Sequence, residues 1–135
     1  MSVNVAFSTT ADWDIYGVSG AYQYRLFIRE NRVPSNFPYS AMTYTGFGGI
    51  LLVGDVMGNP QAYDLACPVE RQQNVRLFIN EEDKFVAECP KCGSQYDVFS
   101  LMGHPVSGEA ADKGFALRRY NVRENVGGYY KVIGY

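Results

Sequence analysis

A chain of 135 residues has the length of one domain, and 47% hydrophobic against 19% charged residues excludes a disordered polymer. A formal net charge of −2 with no basic stripe argues against a nucleic-acid surface. The longest apolar run, Gly48–Val53, falls far short of the ~20 residues of a membrane helix, and an odd count of three cysteines rules out a complete disulfide framework.

Eleven tyrosines, eight phenylalanines and fourteen glycines tilt the composition towards strands and turns. Val3–Phe7 alternates apolar and polar residues and predicts a first strand. Ala11–Gly20 holds the only tryptophan, Trp13, between the breakers Gly17 and Gly20. Tyr22–Ile28 predicts a second strand. Asn31–Tyr44, with Pro34 and Pro38, predicts a long surface loop with one helical turn at Tyr39–Met42. Gly49–Val53 is a buried strand. Asp55–Pro60 turns through Gly58-Asn59-Pro60, and Gln61–Leu65 returns as the hairpin partner. Strands are further predicted at Arg76–Ile79, Lys84–Glu88, Gln95–Phe99, Phe115–Val122 and Tyr129–Ile133, with a polar turn at Asn80–Asp83 and a closing turn at Asn125–Gly128. About ten short antiparallel strands with turn signals between them predict an all-β sandwich or small barrel, and a single domain over residues 1–135.

The chemistry-bearing stretch is Glu88-Cys89-Pro90-Lys91-Cys92-Gly93-Ser94-Gln95-Tyr96-Asp97, a C-P-x-C turn running into a strand. A second Cys-Pro step, Cys67-Pro68, ends the strand before it. Two such turns on consecutive strands bring thiolates to one point, and C-x2-C sulfurs converge on one ion while backbone N–H groups point at them. Other constellations carry less. Glu81, Glu82 and Asp83 read as a solvated turn, and Arg118-Arg119 as a solvated pair at a strand edge. Gly46-Phe47-Gly48-Gly49 precedes a strand rather than the helix a phosphate loop needs. The lone histidine, His104, has no motif partner and reads as a hydrogen-bonded or exposed loop residue. The tyrosines Tyr129, Tyr130 and Tyr135 read as ordinary sheet packing.

The ordered set Ala62–Pro68, Cys89–Asp97, Gly103…Gly108-Glu109-Ala110 and Leu117–Val122 resembles the Rieske iron–sulfur domain, over roughly residues 46–122, with residues 1–45 as an N-terminal extension. Within it the chain is similar to exported Bacteroidetes Rieske-like lipoproteins. The resemblance implies a Rieske-like all-β fold and a 2Fe–2S electron-transfer role, with Cys67 and Cys89 in the two cysteine ligand positions. Val69 stands in the first histidine position, Cys92 in the second, and Glu109 replaces the proline of the third loop. A two-cysteine, two-histidine cluster therefore cannot form at these positions.

Four states of the thiols remain open. Cys67, Cys89 and Cys92 hold a zinc-like ion, with Glu70 or Glu109 as fourth ligand, for on the order of 10 kcal/mol of folding energy. Alternatively, Cys67 and Cys89 form a disulfide closing about 22 residues, for roughly 3 kcal/mol, leaving Cys92 free. A third state is a thiolate-rich cluster of low potential, near about −400 mV. The fourth is three reduced, buried thiols. Zinc or no metal is favoured over a conventional cluster. The functional expectation is an electron-transfer-type domain with altered ligands, against a non-redox structural or binding module; neither is a catalyst by itself. The resemblance and the abrupt strand start imply a bacterial envelope location, a lipid anchor outside this chain as the only membrane contact, and a protein partner of unknown identity.

Overall fold

The computed structural model describes residues 2–125 and 129–134. It is all-β, with eleven strands and two short helices. Residues 126–128 of the turn expected at Asn125–Gly128, and Tyr135, lie outside the described residues.

The larger sheet is built on β4 (Ile50–Gly54), whose five residues are all buried. A strand apolar on both faces must be covered on both sides, which places β4 inside the sheet. It pairs antiparallel with β2 (Tyr24–Phe27) on one side and β5 (Pro60–Asp64) on the other. The β4–β5 turn is held by Asp55, whose Oδ1 accepts from the N–H groups of Met57 and Asn59, both at 2.9 Å. The order continues through β10 (Arg119–Asn125), β11 (Tyr129–Gly134), β1 (Val3–Ala6) and β3 (Tyr44–Thr45). The seven-stranded antiparallel sheet is barrel-like and nearly closed. Where β2 and β3 approach, the Arg29 N–H donates to Thr45 Oγ1 at 3.4 Å, and the Arg29 guanidinium lies over the Tyr44 ring. Residues 2–45 are thus woven into the main sheet through β1, β2 and β3.

A second antiparallel sheet holds β6 (Phe78–Asn80), β7 (Val86–Glu88), β8 (Gln95–Asp97) and β9 (His104–Ser107) in sequence order. Between the two sheets lies an apolar cluster that includes Leu51, Val53, Tyr63, Leu65, Leu77, Tyr96, Val98 and Leu117. Alternation along β4 sends Ile50 and Leu52 to a second cluster with Val5, Phe7, Trp13, Phe27 and Phe37.

Several elements depart from the expectations: β3 and β9 are strands where none was expected, and β9 holds His104, expected in a loop. Thr10–Tyr16 is a helix (α1), capped by the Thr9 hydroxyl accepting from the Asp12 N–H; it sets Trp13 flat against Tyr130 at 3.9 Å. Two turns are too short to display a 3.6-residue period, so only the breaker Gly17 was visible, and a Cβ there would meet the Trp13 ring at 2.5 Å. Glu109–Lys113 is a one-turn helix (α2) ended by Gly114 in the left-handed region. The helical turn expected at Tyr39–Met42 is instead a tight turn in which Ser40 O accepts from the Thr43 N–H. Arg118 and Arg119 are exposed as expected, but β10 lies inside the sheet rather than at an edge. Among the described residues no helix is long and apolar enough to cross a membrane.

Candidate metal centre

The cysteines sit where the two sheets meet. Cys67 follows β5 of the larger sheet by three residues, and Cys89–Cys92 forms the turn between β7 and β8 of the smaller one. Leu65 and Leu77 are both buried beneath the first turn, and the Leu77 N–H donates to Leu65 O at 2.8 Å, fixing the exit from β5. On the same strand Asp64 is 3% exposed, yet its carboxylate is fully engaged. Oδ1 accepts from the N–H groups of Gly48 (2.9 Å) and Ala66 (2.8 Å), and Oδ2 from the Phe47 N–H (3.0 Å) and the Tyr120 hydroxyl (2.6 Å). This one side chain ties the Phe47–Gly48 loop, β5 and β10 together directly behind Cys67.

The three sulfurs lie within 4.8 Å of one another, and Cys67 Sγ and Cys92 Sγ are 3.7 Å apart. Zinc with sulfurs at ~2.3 Å in a tetrahedron sets neighbouring sulfurs ~3.8 Å apart, whereas a disulfide requires ~2.05 Å. All three cysteines are unbridged. Cys67 and Cys89 are buried and Cys92 is half-buried.

The surroundings act unequally on the three sulfurs. The backbone N–H groups of Glu70 and Val69 point at Cys67, and those of Cys92 and Lys91 at Cys89. The Tyr96 hydroxyl lies 3.3 Å from Cys67 Sγ, and the Cys92 thiol donates to Ser94 Oγ at 3.2 Å. Burial opposes ionisation of Cys67 most strongly, but Tyr96, the two N–H groups and the Cys89 thiol outweigh it, and its pKa falls below the ordinary thiol value. Burial pushes Cys89 up to about 12, reinforced by the neighbouring sulfurs of Cys67 and Cys92. Tyr96 is raised by burial and by Cys67, so it remains a donor. Ionisation is thus eased at Cys67 and opposed at Cys89, and a cation held between the sulfurs would favour the thiolate form.

Ser94 and Tyr96 went unassigned in the sequence. The signal was present, because alternation along Ser94-Gln95-Tyr96 turns both to one face, towards Cys92 and Cys67 respectively. Ser94 also anchors the third loop: its Oγ accepts from the Ala110 N–H at 3.1 Å, and a Cβ on Gly108 would meet Ser94 Cα at 2.8 Å.

Neither carboxylate expected as a fourth ligand belongs to the sulfur group as it stands. Glu109 is half-exposed and pairs with Lys113 at 2.8 Å, its i+4 neighbour on α2, which draws it away from the thiols. Glu70 Oε1 lies 3.5 Å from Lys91 Nζ with its side chain only 16% exposed. His104 is exposed, its Nδ1 2.7 Å from Leu101 O, and stands apart from the thiols. Val69 is half-buried against the inter-sheet core. The residues present thus do not fit a histidine-ligated two-iron cluster. Such a cluster also spreads the ligands of opposite irons further apart than ligands sharing one ion, whereas these three sulfurs surround one point.

Fold and site together define a small all-β protein with a three-thiol group at the junction of two sheets. Comparison with protein-family models, curated proteins and solved structures finds no match for the chain.

Proposed function

We propose that the chain is a metal-binding domain of Rieske-like type in which Cys67, Cys89 and Cys92 hold one divalent ion, zinc by ligand preference, as a structural centre joining the two sheets. The observation that carries this reading is the convergence of three sulfurs within 4.8 Å, with the 3.7 Å Cys67–Cys92 separation matching an edge of a zinc–thiolate tetrahedron. One ion there cross-links β5 to the β7–β8 turn, so binding is coupled to the packing of one sheet on the other. Titration of anaerobically purified protein with Zn²⁺ against a chromophoric chelator should show one equivalent bound, and none after replacement of all three cysteines by serine. Unchanged zinc uptake by the serine variant would overturn the assignment.

A second reading keeps the site and changes the metal. The Tyr96 hydroxyl at Cys67 and the four N–H groups aimed at Cys67 and Cys89 are the kind of donors that tune a redox iron, and half-buried Cys92 gives an electron a route to the surface. In that case the domain is an electron carrier, and the iron-loaded protein shows a reversible potential that shifts in Tyr96→Phe. The envelope location proposed from the lipoprotein resemblance is tested separately, by fractionation of the cells that make the protein.

A further inference from the structure

The two cysteine turns have the same backbone. In each, a cysteine is followed by proline: Cys67-Pro68-Val69-Glu70-Arg71 and Cys89-Pro90-Lys91-Cys92-Gly93. In each, the N–H of the fifth residue donates to the carbonyl of the first: Arg71 to Cys67 at 2.9 Å and Gly93 to Cys89 at 3.0 Å. In each, the N–H groups of the third and fourth residues point at the first sulfur. The fifth residue is left-handed in both, with φ of +53° at Arg71 and +74° at Gly93. An arginine pays a penalty for that conformation that glycine does not, so the shape of the first turn is held against local preference. By position in the turn Glu70 corresponds to the ligand Cys92, and both residues are half-buried.

From this equivalence we infer that Glu70 is the fourth ligand of the centre, binding through one carboxylate oxygen, while Lys91 holds the other and orients it. The inference rests on the three-thiolate reading above and completes it. The proposed site has two like halves, a Cys-x2-Glu turn and a Cys-x2-Cys turn, each giving its first and fourth residues. The path from Cα to a carboxylate oxygen is two atoms longer in glutamate than the path to sulfur in cysteine, and the proposed ligation has a side-chain torsion carry Oε2 to the sulfurs while Oε1 stays with Lys91. The pairing crosses between the turns, because Lys91 belongs to the Cys89 turn and Glu70 to the Cys67 turn. Three thiolates and a carboxylate leave excess negative charge around a dication, and the Lys91 ammonium offsets part of it. A mixed sulfur–oxygen set suits Zn²⁺ or Fe²⁺ and disfavours Cu(I), which prefers sulfur alone.

The test uses Co²⁺ in place of zinc in the full chain, with native protein, Glu70→Ala, Glu70→Cys and Lys91→Met compared. Native protein should show thiolate-to-cobalt charge-transfer bands and tetrahedral ligand-field bands. Glu70→Cys should add charge-transfer intensity in proportion to a fourth thiolate and move the ligand-field bands to longer wavelength. Glu70→Ala should keep the thiolate bands, change the ligand-field pattern and weaken binding, and Lys91→Met should weaken it by ~10-fold, as loss of an orienting partner does. If Glu70→Ala binds Co²⁺ with the native spectrum and affinity, and Glu70→Cys adds no intensity, Glu70 is not a ligand while the three-thiolate reading stands. If native protein shows no thiolate bands at all, the metal reading itself fails, and this inference with it.

Discussion

Asp64 braces the chain just before Cys67, and its replacement gives a sharp prediction. Its carboxylate satisfies four donors: three backbone N–H groups and the Tyr120 hydroxyl, at 2.6–3.0 Å. In Asp64→Asn the side chain keeps one oxygen and gains an amide that must face donors, so two of the four lose their acceptor. A buried donor left without a partner costs about 1–3 kcal/mol. The expected loss is therefore about 2–6 kcal/mol, and Asp64→Ala, which removes all four acceptor contacts, should cost more. Tyr120→Phe removes one donor and leaves the carboxylate three others, so about 1–2 kcal/mol is expected. Urea unfolding at one buffered free-zinc activity for every variant measures this, since bound metal otherwise shifts apparent stability. Because Asp64 lies three residues before Cys67, Asp64→Asn should weaken zinc binding as well. A loss below about 0.5 kcal/mol, the level of an ordinary surface change, would refute the view that this carboxylate braces the loop behind the site.

Three further outcomes follow from the geometry. Tyr96→Phe keeps the buried ring and deletes the donor to Cys67; it should cost about 1 kcal/mol and weaken zinc affinity by ~10-fold, read by chelator competition. Asp97 accepts from the N–H groups of Phe99 and Ser100 and from the Ser100 hydroxyl. Burial opposes its ionisation, but the Ser100 groups and the Phe99 and Leu101 N–H groups prevail and lower its pKa. A depressed carboxylate stabilises the fold above its unfolded pKa, about 3.9, and loses that contribution as pH falls through the lower folded value. Asp97→Asn should therefore be less stable than native protein by about 1 kcal/mol at pH 7, with the gap closing below about pH 4; an equal gap at pH 7 and pH 3 would count against this. Gly103 has φ of +83°, and a Cβ there would sit 2.8 Å from Tyr63 Cε1 and 3.2 Å from Leu117 Cβ. Gly103→Ala should thus lose about 2–4 kcal/mol in thermal or urea unfolding, adding left-handed strain to overpacking.

Much of the sheet architecture was legible because its signals are local. The apolar run Gly49–Val53, the Gly58-Asn59-Pro60 turn and the returning segment Gln61–Leu65 specify the β4–β5 hairpin without outside help. Elements that depend on tertiary partners were not legible. β3 is two residues long and exists only because Val3 and Asn4 pair with it. The helix α1 is fixed by a cap and by Trp13 stacking on Tyr130, more than a hundred residues away in sequence. At the site, the cysteines announced themselves by spacing, but Glu70 and Glu109 were equal candidates. What separates them is backbone shape: the left-handed residue after Glu70 matches the one after Cys92, whereas Glu109 opens a helical turn and pairs along it. An arginine at positive φ has no sequence signature. Asp64 was hidden likewise, as one polar residue in a strand, three of whose four donors come from two distant segments.

Metal-edge X-ray absorption of the zinc-loaded full chain would decide whether one ion is shared by three sulfurs. Three sulfurs at about 2.3 Å and one lighter oxygen ligand around a single zinc are expected, with no metal–metal scattering. A first shell of oxygen and nitrogen only, or with a single sulfur, would contradict that arrangement.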